Sequence, residues 1–213
     1  MFAPYMDEKF SEILLKSSEV FMRYGLKSVT MDDIAREIKV SKKTIYKYVK
    51  DKSDLLCNVM QGNCTCDVMV IDEILDRRLN AIDEIIEIGR YVAGQLKMMH
   101  PSIHYDMEKY YPEVWQLFET HKTNYLYGCV ADNMARGIKE GLYRDNLNIE
   151  IMVKLYLSKI DLVFDATIFP PNKFNFVEVY MELLRYHIKG IASDNGVEYL
   201  RNEIKNENLN FYQ

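Results

Sequence analysis

Residues 30–52, TMDDIAREIKVSKKTIYKYVKDK, constrain the fold more than any other stretch of the chain. Thr30 stands three residues before Asp33, the spacing of a capping box. Ile34, Ala35 and Ile38 then fall at helical intervals. Ser41 is placed to cap a second helix that carries Thr44, Ile45, Tyr46, Tyr48 and Val49. Only Lys39 and Val40 lie between the two, which leaves room for a sharp helix-to-helix turn and nothing else. That is the layout of a helix-turn-helix, whose second helix enters the DNA major groove.

Charge points the same way. From 36 to 52 the basic residues are Arg36, Lys39, Lys42, Lys43, Lys47, Lys50 and Lys52, against Glu37 and Asp51. The segment is therefore net +5 in a chain that is net −5. A basic island in an acidic protein is the footprint of phosphate binding. A merely solvated helix would explain the charge run, but not the two caps, the short turn and the aromatics set among the lysines.

The run IAREIKVSKKTIYKYVKDKSDLL resembles the N-terminal DNA-binding signature of the TetR family of transcriptional regulators. The resemblance rests on Ile34 and Ala35, on Val40 and Ser41 in the turn, and on Thr44, Ile45 and Tyr46 in the second helix. It continues through Tyr48, Lys52, Leu55 and Leu56 and covers about residues 10–56. Two positions depart from it: Lys39 stands where the family usually has Gly, and Val49 where it usually has Phe. A side chain at a positive-φ turn costs on the order of 1 kcal/mol, which the fold tolerates. The resemblance implies a three-helix DNA-binding domain at 1–52, completed by a helix over 7–24. The remainder, 53–213, is then an effector-binding and dimerisation domain. Lys42, Lys43, Thr44 and Lys47 are expected to face the groove, while Thr30, Ser41, Tyr46, Tyr48 and Lys52 hold phosphates. Phe21, Val29, Ile45 and Val49 are expected in the core. The arm before Asp7 carries no Arg or Lys, so no minor-groove contact is expected from it.

The rest of the chain predicts an all-α fold. The full sequence has only 9 Gly and 5 Pro, with long stretches free of both. No run of about 18 apolar residues suggests a membrane span, and MFAPYMDEKF lacks the basic and apolar regions of a secretory signal. A cytoplasmic protein with four free thiols, Cys57, Cys64, Cys66 and Cys129, is the expectation. A long helix is predicted from Lys52 to about 80, weakened near Gly62 and Asn63, and another over 81–99. A short segment comes next at 102–110, and then one helix over 110–142. Two more are predicted over about 148–168 and 174–193, before an Asn-rich tail.

Catalytic constellations are missing. Cys64 and Cys66, two apart on a helix, point about 200° apart and cannot share an ion unaided. His100, His104, His121 and His187 fit no zinc or di-iron spacing, and no phosphate or dinucleotide loop is present. Neither an enzyme nor a cofactor is expected. Tyr91, Met98, Met99, Tyr105, Trp115, Phe118 and Tyr125 crowd the middle of the chain. They make either plain core or, with the family resemblance, an adaptable pocket for a small-molecule effector. The last two long helices carry apolar faces wider than one neighbour needs. The resemblance implies a homodimer through them, at Leu155, Tyr156, Ile160, Val163, Tyr180, Leu183, Leu184 and His187, which would present two recognition helices to a palindromic operator. The rival reading is a small-molecule binding or scaffold protein with a vestigial helix-turn-helix.

Overall fold

The computed structural model describes residues 7–205, and the described residues are helical throughout apart from turns and one isolated bridge, Tyr143 with Ala192. The arm before Asp7 and the tail asparagines at 206, 208 and 210 lie outside the described residues. In chain order the helices are α1 (Glu8–Tyr24), α2 (Met31–Glu37), α3 (Lys42–Ile45), α4 (Lys52–Asp76), α5 (Ala81–Met98), α6 (Ile103–Tyr110) and α7 (Pro112–His121). After a π turn at Lys122–Leu126 come α8 (Tyr127–Lys139), α9 (Ile149–Val163), α10 (Phe176–Ile191) and α11 (Asp194–Lys205). None of these helices is long and apolar enough to cross a membrane.

The residues pack as two units. The first holds the described chain up to Val70 together with Met98–His121. Its core joins Ile13, Leu14, Phe21, Val29, Ile34, Ile45, Val49 and Leu55 to Ile103, Met107 and Val114. Packing therefore does not divide the chain after residue 52, where the DNA-binding motif ends, because α6 and α7 share a core with the head. Local signals start and stop the head helices. Asp7 accepts the amides of Lys9 and Phe10 at the start of α1, and Gly25 ends that helix at φ 83°. Glycine is needed there twice over, since a Cβ would also come within 2.7 Å of Ser102 Oγ.

The second unit holds Ile71–Lys97 and the described chain from Lys122 onward. Ile82, Ile86, Met134, Val153, Tyr180, Leu184 and Ile188 form its interior. The helix expected over 110–142 is interrupted by the π turn, in which Lys122 is buried and bonds both oxygens of Asp161 on α9 at 2.9 and 2.8 Å. Asn148 starts α9 by accepting the Ile151 amide. Asn175 does the same for α10 through the Val177 amide. The Asn-rich tail begins as an ordered helix, α11.

Candidate nucleic-acid interface

The head builds a capped pair of helices around one turn. The Thr30 hydroxyl accepts the Asp33 amide while the Asp33 carboxylate accepts the Thr30 amide at 3.0 Å, a complete capping box. Helix α2 then ends in a Schellman motif: the Val40 amide donates to the Ala35 carbonyl and the Lys39 amide to that of Arg36. Lys39 occupies the left-handed position of this motif, at φ 57°, where the sequence lacks the usual glycine. Lys39→Gly is expected to stabilise the protein by roughly 0.5–1 kcal/mol, the left-handed penalty less the extra chain entropy glycine loses. A urea midpoint that falls on this substitution would refute the account.

Ser41 caps α3 by accepting the Thr44 amide at 3.0 Å, and its hydroxyl also meets Thr44 Oγ1 at 2.7 Å. The α-helical part of this element is short. Beyond Ile45 it continues as tight turns, with Tyr48 donating to Ile45 and Lys47 to Thr44, and ends as the Val49 amide reaches the Ile45 carbonyl. Ile45 and Val49 are buried, as expected, and anchor the element from beneath. The opposite side carries Lys42, Lys43, Tyr46 and Lys47, all exposed, with Thr44 half-buried beside them.

Several expected contact residues already have partners. Lys42 pairs with Asp32 at 2.8 Å, an exposed bridge of the kind that is easily exchanged for a phosphate. The Thr30 hydroxyl donates to Asp33, so it is engaged in the cap. Tyr48 stacks on Phe10 of α1 with ring centres 4.9 Å apart and donates to Asp7 at 3.3 Å, which leaves its edge rather than its face for contact. Asp51 accepts the Asp54 amide and Asp54 accepts the Lys50 amide, so carboxylates occupy groups that a phosphate would need. Lys52 itself points its ammonium to within 3.5 Å of the Lys27 carbonyl.

The residues expected to line an effector pocket are shared between the two units. Trp115 and Phe118 cluster with His104 in the first unit, at ring distances of 4.9 Å (His104 to Trp115) and 5.6 Å (Trp115 to Phe118). Met99 packs beside that core, and Met98 and Tyr105 are exposed. Tyr91 and Tyr125 belong to the second unit, and of the seven only Tyr125 lines its large cavity, about 910 Å³. Sequence reasoning missed the polar residues of that cavity, Glu84, Asn133 and Arg136. Glu84 is buried; its Oε1 accepts from Asn133 at 2.8 Å and its Oε2 pairs with Arg136. A carboxylate between Ile82, Ile85 and Ile86 on α5 was the available signal, because an acid at a core position demands a partner. Tyr125 also donates to Asp72 at 2.7 Å, and burial with that carboxylate pushes its phenol up.

The expected dimer residues need correction. Tyr156, Val163, Tyr180, Leu184 and His187 are buried inside the second unit and cannot also form a surface. His187 stacks on Tyr156 at 4.2 Å, and burial holds its imidazole down at about 4. Ile160 and Leu183 are half-buried, and Leu155 is exposed. The outward face of α9 and α10 consists instead of Ile151, Leu155, Leu162 and Tyr186, with an apolar groove of about 520 Å³ lined by Leu162, Val179, Leu183, Phe169 and Phe174. As for the thiols, burial pushes Cys64 up to about 11. Among the described residues no three His, Cys, Asp or Glu side chains stand close enough to hold a metal ion.

Residues 13–59 match the model of the bacterial regulatory proteins, tetR family. The chain is similar to YhgD, an uncharacterised HTH-type transcriptional regulator of Bacillus subtilis, at 25% identity over 85% of this chain and 96% of that protein. Its fold is similar to that of the regulator FadR from Bacillus subtilis in complex with stearoyl-CoA, with a TM-score of 0.63 and 19% identity over 85% of this chain and 99% of that one. It is also similar to a transcriptional regulator from Saccharomonospora viridis in complex with choline, with a TM-score of 0.69 and 16% identity over 88% of this chain and all of that one.

Proposed function

We propose that the chain is a transcriptional regulator of the TetR family, as the match over residues 13–59 and the likeness to YhgD support, and that it is a ligand-responsive repressor, a homodimer on a palindromic operator that a small-molecule effector releases. The observation that carries the reading is the exposed row Lys42, Lys43, Tyr46 and Lys47 on an element held from beneath by buried Ile45 and Val49. A basic surface of this kind, mounted on a capped helix after a tight turn, fits a major groove and its flanking phosphates. A vestigial head would have no need to keep both caps and an exposed basic row.

The apolar groove and the exposed side chains of α9 and α10 support a two-fold interface there. The cavity of about 910 Å³ supports a site for the effector. Its lining of Glu84, Asp132, Glu140, Arg78 and Arg136 suits a polar, charged molecule better than a bare acyl chain. Such a ligand releases DNA only if it binds the DNA-incompetent arrangement more tightly than the competent one. In this reading the protein works in the cytoplasm and carries out no catalysis.

Fluorescence anisotropy with the DNA upstream of its own gene, across a salt series, tests the reading. Site-specific binding with a steep salt slope is the expected result. Weak binding, blind to sequence on this DNA and on fragments selected from the whole genome, would favour the scaffold reading.

A further inference from the structure

Three lysines meet on the first unit beside the recognition element, and only Lys52 among them is one of the phosphate contacts expected from the sequence. Lys27 lies in the loop between α1 and α2, Lys52 opens α4, and Lys109 is the penultimate residue of α6. Their ammoniums are held by tyrosine faces. Lys27 Nζ sits 4.0 Å from the centre of the Tyr110 ring, and Lys109 Nζ lies 5.5 Å from that same ring and 4.9 Å from the ring of Tyr105. Lys52 Nζ stands 5.5 Å from the Tyr111 ring and 3.5 Å from the Lys27 carbonyl. Lys109 also donates to the Tyr105 hydroxyl. Among the described residues none of the three forms an ion pair.

The carboxylate placed among them is already engaged. Asp106 is buried and accepts the amides of Leu26 at 3.2 Å and Lys27 at 3.1 Å, as well as the Ser102 hydroxyl at 2.9 Å. These bonds fasten α6 to the loop that leads into Thr30. The cluster thus keeps three ammoniums around one buried carboxylate, an excess of positive charge. A cation on a ring face keeps its outer side open, so it can still receive a phosphate-like anion. Its neighbours indicate the source. Lys27 is three residues from Thr30, and Lys52 borders the recognition element, so the patch continues the surface assigned to DNA.

We propose that the end of α6, through Lys109 together with Lys27 and the Tyr110 ring between them, is a second contact with the DNA backbone, lengthening the footprint beyond the helix-turn-helix. The inference rests on the DNA-binding reading above. Backbone contacts of this kind add affinity and salt dependence without reading sequence.

The test uses the full chain and a long duplex of random sequence, so no operator need be known. Lys27→Met with Lys109→Met keeps an apolar stem over each ring and removes both charges. The expected result is a plot of log K against log salt that is shallower by about 2, with Lys27→Arg and Lys109→Arg restoring the slope. If the methionine pair does not fold, Lys109→Gln alone, at an exposed helix end, is expected to flatten the slope by about 1. An unchanged slope in these variants, on a duplex where Lys43→Ala with Lys47→Ala does flatten it, would overturn the α6 contact and leave the head's role intact. A wild-type protein with no salt-dependent DNA binding at all would overturn both.

Discussion

Replacing Tyr46 and Lys47 together by alanine is expected to weaken binding to the operator on the order of 100-fold or more, at about one to three kcal/mol for each lost contact. The protein should melt as the wild type does, because both side chains are exposed and neither takes part in the core. The control lies one residue away. Ile45 is fully buried beneath the same element, and Ile45→Ala is expected to cost about 2–5 kcal/mol of stability through the cavity it leaves. Loss of binding in Ile45→Ala would therefore come with a lowered melting temperature, whereas loss in the exposed pair would not. Operator affinity that stays within a factor of about three in the exposed pair would remove α3 from the groove.

The head was legible because its signals are local. Thr30 with Asp33, Ser41 with Thr44, and the glycine-like turn at Lys39 act within a few residues, and each is realised in the structure. The features that could not be read depend on partners far along the chain. Residues 102–110 read only as a short segment, yet α6 is fixed by Asp106 bonding amides about 80 residues away. The π turn interrupts an otherwise continuous apolar pattern, and the bond from buried Lys122 in that turn goes to Asp161 on another helix. In α9 and α10 periodicity reveals faces too wide for one neighbour, and the structure agrees that each helix is apolar on two sides. Periodicity cannot say which side turns inward, so Tyr156, Tyr180 and Leu184 read as outward when they belong to the interior. The Met and Tyr load is ambiguous for a related reason. Composition counts those residues together, while packing divides them between two units.

Arg136→Met is expected to destabilise the protein by about 3 kcal/mol, the lower end for a broken buried ion pair because the arginine side chain is itself about a third exposed. Arg136 at the end of α8 pairs with buried Glu84, reaches the Leu79 carbonyl, and meets Glu140 at 3.2 Å. Glu140 in turn accepts the Ala81 amide at 2.8 Å, so the same network closes the start of α5. Asn133 adds bonds to Glu84 and to the Ala81 carbonyl at 2.9 Å, and the Tyr143 hydroxyl lies 3.0 Å from that carbonyl. Methionine fills much of the arginine's volume, so the cost comes from a carboxylate left in the interior with one donor fewer. Adding Glu84→Gln removes that charge while an amide oxygen can still accept from Asn133. The double variant is therefore expected to recover a large part of the loss in urea denaturation at fixed protein concentration. If Arg136→Met alone unfolds at the wild-type midpoint, the pair is not a structural tie. If the double variant is no more stable than the single, the penalty lies in the lost Leu79 and Glu140 contacts rather than in the stranded Glu84.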